Sequence, residues 1–257
     1  MTNLTWPADD YAIGSYIQAT VADNYLSRLQ LKPTHRVLDV GCGNGAYSRK
    51  ILSRIPQGSL VGLDASPHML KLARETLVDY PNVQFHCGDM AAMAFNNEFD
   101  YVVSFWCLQW SADIMASFRH IHQALKDSAK VFALFPTGDD PLMTMYEAVR
   151  NSGRFSSLDQ FKLPINYAQF VNLEQKLAEF AFKSLKVERC QQLLELPSLD
   201  IYSKFVNGIP FYDKQISAQE IKKINQAMAD AFEVYCHEHY NGKYLFEFSI
   251  YLVTAEK

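Results

Sequence analysis

The stretch Val37-Leu38-Asp39-Val40-Gly41-Cys42-Gly43-Asn44-Gly45 joins a short apolar run to three glycines at alternate positions. The run Arg36–Val40 predicts a buried strand, and the residues from Ala46 to Arg54 predict a helix directly after the glycines. Glycines between a strand and a helix let the backbone approach a ligand closely, where a Cβ would collide. The stretch therefore predicts a ligand-binding loop at the end of the first strand of an α/β domain.

Helices and strands continue to alternate on both sides of this loop. A helix is predicted over about residues 8–30, and Ser66-Pro67 predicts the start of another, because serine caps a helix and proline suits its first turn. Short apolar strands that alternate with helices are typical of a parallel sheet covered on both faces. The further strands predicted in this part of the chain are Ser59–Leu63, Pro81–Phe85, Asp100–Ser104 and Lys130–Phe135.

The pattern changes after Pro136. Residues 137–183 and 197–240 are predicted to be mainly helical, and we expect both segments to cover the ends of the strands. Strands are predicted at 185–194 and 244–254, and these two are expected to pair antiparallel at one edge of the sheet. We therefore expect residues 1–257 to form one domain, with the two covers as parts of it.

Composition limits the possible partners. The chain of 257 residues has a formal net charge of −4 and no long Lys/Arg block, so it lacks the basic surface of a nucleic-acid-binding protein. No apolar run approaches the roughly 20 residues that span a bilayer. Five scattered cysteines without a CxxC pair, and an N-terminus without a signal-peptide pattern, favour a cytoplasmic protein with reduced thiols. We expect a small-molecule partner, no nucleic acid, no membrane, and a monomer or dimer.

No metal site is expected. Cys236-His237-Glu238-His239 places its histidines two residues apart, on different faces of a helix, and His120 and His122 have the same spacing. Cys42 in the glycine loop has no base positioned beside it by sequence. We interpret it as a small side chain beside a ligand and not as a nucleophile.

Charge discriminates between two ligands for the glycine loop. Gly41-x-Gly43-x-x-Ala46 also fits a dinucleotide fingerprint, which would make the chain an NAD-binding oxidoreductase. A dinucleotide brings a pyrophosphate to this loop, and Asp39, two residues before the first glycine, would repel it. S-adenosylmethionine (SAM) brings a sulfonium and an ammonium group, which a carboxylate favours. The loop therefore indicates SAM.

The ends of the next strands supply further candidate contacts to SAM. Asp64 ends the second strand and is placed to accept hydrogen bonds from two ribose hydroxyls. After the third strand, Asp89 could accept from the adenine amine and Met90 could pack on the ring. The complete set of candidate cofactor residues is Tyr11, Asp39, Gly41, Gly43, Gly45, Asp64, Ala65, Asp89, Met90 and Ser104.

The chain resembles class I SAM-dependent methyltransferases over most of its length. Within them it is similar to the small-molecule carboxyl O-methyltransferases of the juvenile-hormone-acid and trans-aconitate type. The resemblance rests on four stretches: Trp6-Pro7-x-x-x-Tyr11-x-x-x-Ser15-x-x-Gln18, the loop 37–45 with Gly62–Ser66, Ser104–Trp110, and Phe246–Val253.

The resemblance implies a Rossmann-like seven-stranded sheet in the order 3-2-1-4-5-7-6, with only strand 7 antiparallel. It implies a lid helix in which Tyr11, Ser15 and Gln18 share one face. Gln18 and Trp110, together with Trp106, are implied to position the substrate. The alternatives are a mixed surface stripe for the helix face and core packing for the tryptophans.

The chain departs from the family pattern in two places. Phe105 and Trp106 replace residues that are small or Asn in many relatives of the trans-aconitate type, which would make the acceptor pocket narrower and more apolar. Asp127-Ser128-Ala129 stands in place of the usual Pro-Gly-Gly before the fifth strand. The first difference bears on which substrate is bound.

The expected reaction is methyl transfer to a small-molecule acceptor, in particular to a carboxylate oxygen. A carboxylate is ionised at neutral pH, so no general base is required. A phenol or amine acceptor remains an alternative, for which His86, His120 or His122 could act as a base. A nucleic-acid or protein N-methyltransferase would carry an (N/D)PP(Y/F) motif where Ser104-Phe105-Trp106-Cys107 stands. A non-catalytic SAM-binding protein would be expected to have lost Asp64 or the glycine loop.

Overall fold

The computed structural model describes residues 15–212 and 214–257, and seven strands in this part of the chain form one sheet. The strand order is β3-β2-β1-β4-β5-β7-β6, as the family resemblance implied. Strand β7 pairs antiparallel with both β5 and β6, and the other neighbouring pairs are parallel. The strands are β1 Arg36–Val40, β2 Ser59–Asp64, β3 Val83–Cys87, β4 Phe99–Phe105, β5 Leu125–Pro136, β6 Ser184–Glu195 and β7 Leu245–Glu256.

Helices flank the sheet on both faces. They are α1 Tyr16–Leu26, α2 Ala46–Leu52, α3 Pro67–Thr76, α4 Ile114–Ala124, α5 Pro141–Asn151, α6 Leu173–Leu177, α7 Leu199–Gly208 and α8 Ala218–Tyr240. Helix α3 begins as predicted, with the Ser66 hydroxyl accepting from the amide of Met69 and Pro67 at the first position. Within the described residues, none of the helices combines the length and the apolar character needed to cross a bilayer.

Consecutive residues of the central strands alternate between two apolar clusters. On β1, Val37 packs in one cluster and Leu38 in the other, and both are fully buried. The first cluster includes residues of α1, α5, α7 and α8, and the second includes residues of α4 and α6. Since both faces are covered, the strands read as continuous apolar runs and not as alternating ones.

Several boundaries differ from the sequence-based prediction. The predicted strand Pro81–Phe85 lies two residues later, because β3 continues until Cys87 pairs with Asp64 of β2. The fifth strand begins before Lys130, through an irregular pairing in which Ser128 has a φ of 62°. That residue occupies the left-handed conformation that glycine adopts readily, at the place where the family has glycine.

The predicted lid helix falls partly outside the described residues. Its described part ends at Leu26 and not near residue 30, because the amides of Arg28 and Leu29 bond three residues back and tighten the last turn. In the first cover, α5 and α6 are joined by irregular chain with short 3-10 turns. The second cover consists of α7 and α8, in agreement with the prediction of a mainly helical segment.

Candidate functional site

The glycine loop turns sharply between β1 and α2. Gly41, Gly43 and Gly45 have φ angles of 76°, 53° and 82°, which lie in the left-handed region. The amides of Gly41 and Cys42 both donate to the carbonyl of Leu63 on β2, at 2.7 and 3.1 Å. A Cβ on Gly41 would lie 2.1 Å from Cys107 Sγ, so this glycine is required by the close approach of the chain after β4. The loop is thereby fixed between two neighbouring strand ends.

Asp64 braces this loop from the end of β2. Its Oδ2 accepts from the amide of Gly43 at 2.9 Å, and its Oδ1 accepts from the amide of Ser66 at 2.8 Å. Burial raises the pKa of Asp64, while these two amides oppose that shift. Each carboxylate oxygen can accept a second hydrogen bond, so Asp64 retains acceptor capacity for ribose hydroxyls. The contact with ribose stays a prediction.

Asp39 adds a second carboxylate beside the loop. It is 1% exposed, and its Oδ2 accepts from Ser48 Oγ at 2.6 Å. The pKa of Asp39 is raised to about 7, mainly by burial; the Ser48 hydrogen bond opposes this shift, and the nearby charge of Asp64 adds to it. A carboxylate held this way disfavours an anion at the loop and favours a cation.

A cleft, here called the loop cleft, lies between the glycine loop, helix α1 and the end of β4. Asp39 is an acid in its wall, and the Lys50 ammonium at its edge is paired with Asp23. The lining residues are Ser15, Gln18, Ala19, Asp39, Gly41, Cys42, Gly43, Asn44, Ala46, Tyr47, Lys50, Phe105 and Trp106. The cleft therefore joins the predicted lid helix to the predicted cofactor loop.

Other predicted cofactor residues are not among the described lining residues of this cleft and have structural surroundings of their own. Ser104 is buried, and its hydroxyl donates to the carbonyl of Val40 at 2.8 Å. Met90 is 3% exposed and packs in the second apolar cluster. Asp89 is half-buried and accepts from the amide of Ala91. Ala65, also half-buried, directly follows Asp64, and Tyr11 lies outside the described residues. The roles of these residues toward a cofactor stay predictions.

A second cavity, here called the aromatic pocket, adjoins the loop cleft. Gln18 and Trp106 line both cavities and form the wall between them. Trp110 also lines the pocket, so the three predicted substrate-side residues lie together. The lining residues are Ile17, Gln18, Trp106, Gln109, Trp110, Pro136, Asp140, Leu142, Ile165, Tyr167, Phe205, Ile209, Phe246 and Phe248. Most of the other aromatic residues of the covers, such as Tyr146, Phe161 and Phe211, pack in the core instead.

Trp106 connects the end of β4 to helix α1. Its Nε1 donates to the carbonyl of Gln18 at 3.0 Å, and Tyr47 Oη donates to the same carbonyl at 3.3 Å. Trp106 has a φ of 58°, an unusual conformation for an aromatic residue. After Trp106 the chain forms a short 3-10 turn, Leu108–Trp110. The indole N–H of Trp106 therefore holds the lid helix.

Asp140 is the lining residue of the aromatic pocket that the sequence analysis missed. It is 7% exposed and caps helix α5, where its Oδ1 accepts from the amide of Met143 at 2.9 Å. Burial raises its pKa to about 6, with a smaller contribution from the charge of Asp139. The sequence signal for this residue was Asp140-Pro141 after the fifth strand, which indicates a helix start at the carboxyl end of the sheet.

The histidines considered as bases, His86, His120 and His122, are not among the described residues that line either cavity.

The described residues contain no group of three His, Cys, Asp or Glu side chains that could hold an ion.

The chain is similar in sequence to known methyltransferases. Residues 37–128 match the family model of the methyltransferase domain. The chain is 33% identical over 135 residues to malonyl-[acyl-carrier protein] O-methyltransferase 1 of Ilyobacter polytropus, covering 50% of each chain. It is 29% identical over 190 residues to juvenile hormone acid O-methyltransferase of Bombyx mori, covering 68% of this chain and 67% of that protein. The chain spans about half the length of several other curated relatives that it matches.

The fold is also found among solved structures. Phosphoethanolamine N-methyltransferase 2 of Haemonchus contortus, in complex with S-adenosylhomocysteine, superposes with a TM-score of 0.57 at 22% identity. The superposition covers 94% of this chain and 52% of that one. Together with the strand order, this likeness confirms the predicted fold.

Proposed function

We propose that this chain is a class I SAM-dependent methyltransferase that transfers a methyl group from SAM to a carboxylate oxygen of a small, largely apolar acid. The observation that carries the proposal is the wall of Gln18 and Trp106 between the loop cleft and the aromatic pocket. Two ligands placed in these neighbouring cavities would meet at this wall.

The residues of the loop cleft fit SAM as the cofactor. SAM supplies a methyl group on a positively charged sulfur. The buried Asp39, with a second carboxylate at Asp64, favours a cationic ligand over a pyrophosphate. The left-handed glycines leave backbone and not side chain at the loop surface. We propose that Gly41, Gly43 and Asp64 hold the cofactor here.

The aromatic pocket suits a carboxylate acceptor with an apolar body. Its lining is mostly aliphatic and aromatic, and none of the described lining residues is Lys, Arg or His. Gln18 and Trp110 supply neutral donors that could orient a carboxylate without gripping it as strongly as a cation would. Since that carboxylate is already ionised, the chain's task is to position it and to exclude water.

A hydroxyl or phenol acceptor is the second candidate. The observation that favours it is Asp140, an acid in the pocket wall that could accept a proton from a bound hydroxyl. Such an acceptor would need this base, because a phenol with a pKa near 10 is mostly protonated at neutral pH.

The test is transfer of labelled methyl from SAM to a panel of carboxylic acids, phenols and amines. We expect apolar monocarboxylic acids to give methyl esters. Turnover confined to phenols or amines would contradict the carboxyl proposal and leave methyl transfer standing. Stabilisation by NAD but not by SAM or S-adenosylhomocysteine in a melting experiment would contradict the cofactor assignment.

A further inference from the structure

The aromatic pocket adjoins a second cleft on the side of α5, here called the outer cleft. The two cavities share Asp140 and Phe248 in their walls. The outer cleft and the loop cleft have none of their described lining residues in common. The aromatic pocket therefore lies between the loop cleft, where the methyl donor is proposed to bind, and the outer cleft.

The charged residues that line the aromatic pocket and the outer cleft are all acidic. Asp139, Asp140 and Glu247 line the outer cleft, and the described residues that line it include no Lys, Arg or His. Asp139 is paired with Arg189, and Glu247 accepts from Gln191 Nε2 at 2.6 Å. Asp140 forms none of the ion pairs found among the described residues.

A buried carboxylate in an apolar wall discriminates between ligands by charge. A second anion beside it would be repelled in a medium of low dielectric constant, whereas an ammonium or hydroxyl group would gain a hydrogen bond. Although burial raises the pKa of Asp140 to about 6, the group is ionised at pH 8.

We propose that Asp140 determines acceptor specificity. It excludes acids that carry a second anionic group at the end away from the methylated carboxylate, and it favours acids that carry a hydroxyl or ammonium group there. This inference rests on the proposed function, since it concerns the far end of the same acceptor. Its substrate class is the apolar monocarboxylic acid with a neutral or cationic terminal donor.

The experiment compares an unbranched alkanoate with its ω-hydroxy, ω-amino and ω-carboxy derivatives of the same length at pH 8. Methyl transfer is measured for each acid. Binding is measured separately, in the presence of S-adenosylhomocysteine, by the fluorescence of Trp106 and Trp110 in the pocket wall. We expect the ω-carboxy acid to bind about tenfold more weakly than the alkanoate and the ω-amino acid to bind more tightly.

The variant Asp140→Asn removes the charge and keeps a residue that caps helices well. It should reduce the discrimination against the ω-carboxy acid, measured as a ratio of kcat/KM values and as a ratio of Kd values, to about threefold or less. Asp113→Asn is the matched control, because Asp113 caps α4 in the same way, with its side chain accepting from Ala116, and lies outside all three cavities. Asp140→Ser serves as a second uncharged cap if the first variant does not fold.

The outcomes separate the inference from the proposed function. Equal discrimination in wild type, Asp140→Asn and Asp113→Asn would overturn the role of Asp140 while leaving carboxyl methylation intact. If the acids bind in the expected order but none of them is methylated, carboxyl methylation would be overturned and the role of Asp140 would be supported. Absence of binding by all four acids would overturn both.

Discussion

The loop cleft and the aromatic pocket share a wall, but the chain builds them differently. Most of the loop cleft comes from the contiguous segment Asp39–Lys50, completed by α1 and the end of β4. The aromatic pocket is lined by a few residues from each of several distant segments: α1, the chain after β4, the end of β5, both covers and β7. Backbone geometry therefore shapes the first cavity and side-chain packing shapes the second. We expect cofactor binding to depend on a few exact backbone positions. The fit of the acceptor's apolar body should instead depend on many side chains that tolerate conservative exchange, with its terminal group selected by Asp140.

The largest effect should come from breaking the backbone geometry of the loop cleft. Gly41→Ala would place a methyl group 2.1 Å from Cys107 Sγ at a φ of 76°. The left-handed conformation and the overpacking together should lower the free energy of unfolding by about 4 kcal/mol. Urea unfolding measures this loss.

Gly153→Ala is the matched control, because Gly153 has a φ of 68° and nothing lies within 4 Å of its added Cβ. It should cost only about 1 kcal/mol, which is the conformational part alone. Equal losses in the two variants would mean that the contact with Cys107 does not fix the loop.

The next effect concerns the pH dependence of stability and Asp39. Its folded pKa of about 7 lies above the ordinary value of 3.8, so the folded state holds this proton more tightly than the unfolded state. The stabilisation is complete below about pH 4 and is lost as the pH rises through about 7, at an expected cost of about 4 kcal/mol. Asp39→Asn should remove this part of the slope in ligand-free protein.

The control for that experiment is Ser48→Ala, which keeps the acid and removes its hydrogen-bond donor. It should raise the pKa of Asp39 further and extend the loss of stability to higher pH. Identical slopes in wild type and Asp39→Asn would show that Asp39 is not buried as a titrating group.

A smaller effect is expected on SAM affinity alone, from a residue beside the glycine loop. Asp64→Ala removes the brace of Gly43 and the proposed ribose contact, so SAM should bind about thirtyfold more weakly, or about 2 kcal/mol. Calorimetric titration gives the Kd. Asp100→Ala is the control, because Asp100 also accepts a backbone amide, from Arg36, but lies at the other end of the sheet. Unchanged SAM affinity in folded Asp64→Ala would remove Asp64 from the site.

The smallest effect should come from the shared wall. Trp106→Phe keeps an aromatic ring and loses the hydrogen bond to the carbonyl of Gln18, at a cost of about 1 kcal/mol. Because Trp106 lines both cavities, kcat/KM should fall a few-fold for SAM and for the acceptor together. Trp110→Phe, which lines only the aromatic pocket, should affect the acceptor alone. The same pattern in both variants would contradict a shared wall.

This difference also explains how much the sequence could predict. The glycine loop and the alternation of strands with helices follow from local patterns, because neighbouring residues act on one another through the backbone. The strand order was implied only by the family resemblance. Asp140 reaches the pocket only because α5 starts beside the end of β5, and that position depends on packing along the whole first cover. The conformation of Trp106 likewise depends on a contact with a helix 88 residues earlier in the chain. The Asp140-Pro141 pattern signals a helix start, but residue patterns alone do not show which cavity that helix start reaches.

The central claim is that a methyl group passes across the wall of Gln18 and Trp106 to an acceptor that needs no base. The most direct test is the pH dependence of kcat for the best acceptor, measured with labelled SAM from about pH 7 to 9. The account predicts a methyl ester as product and a nearly flat profile, because the carboxylate remains ionised throughout. A methyl ether as product, or a rate that climbs about tenfold per pH unit, would contradict the account, because either result means that the acceptor must lose a proton.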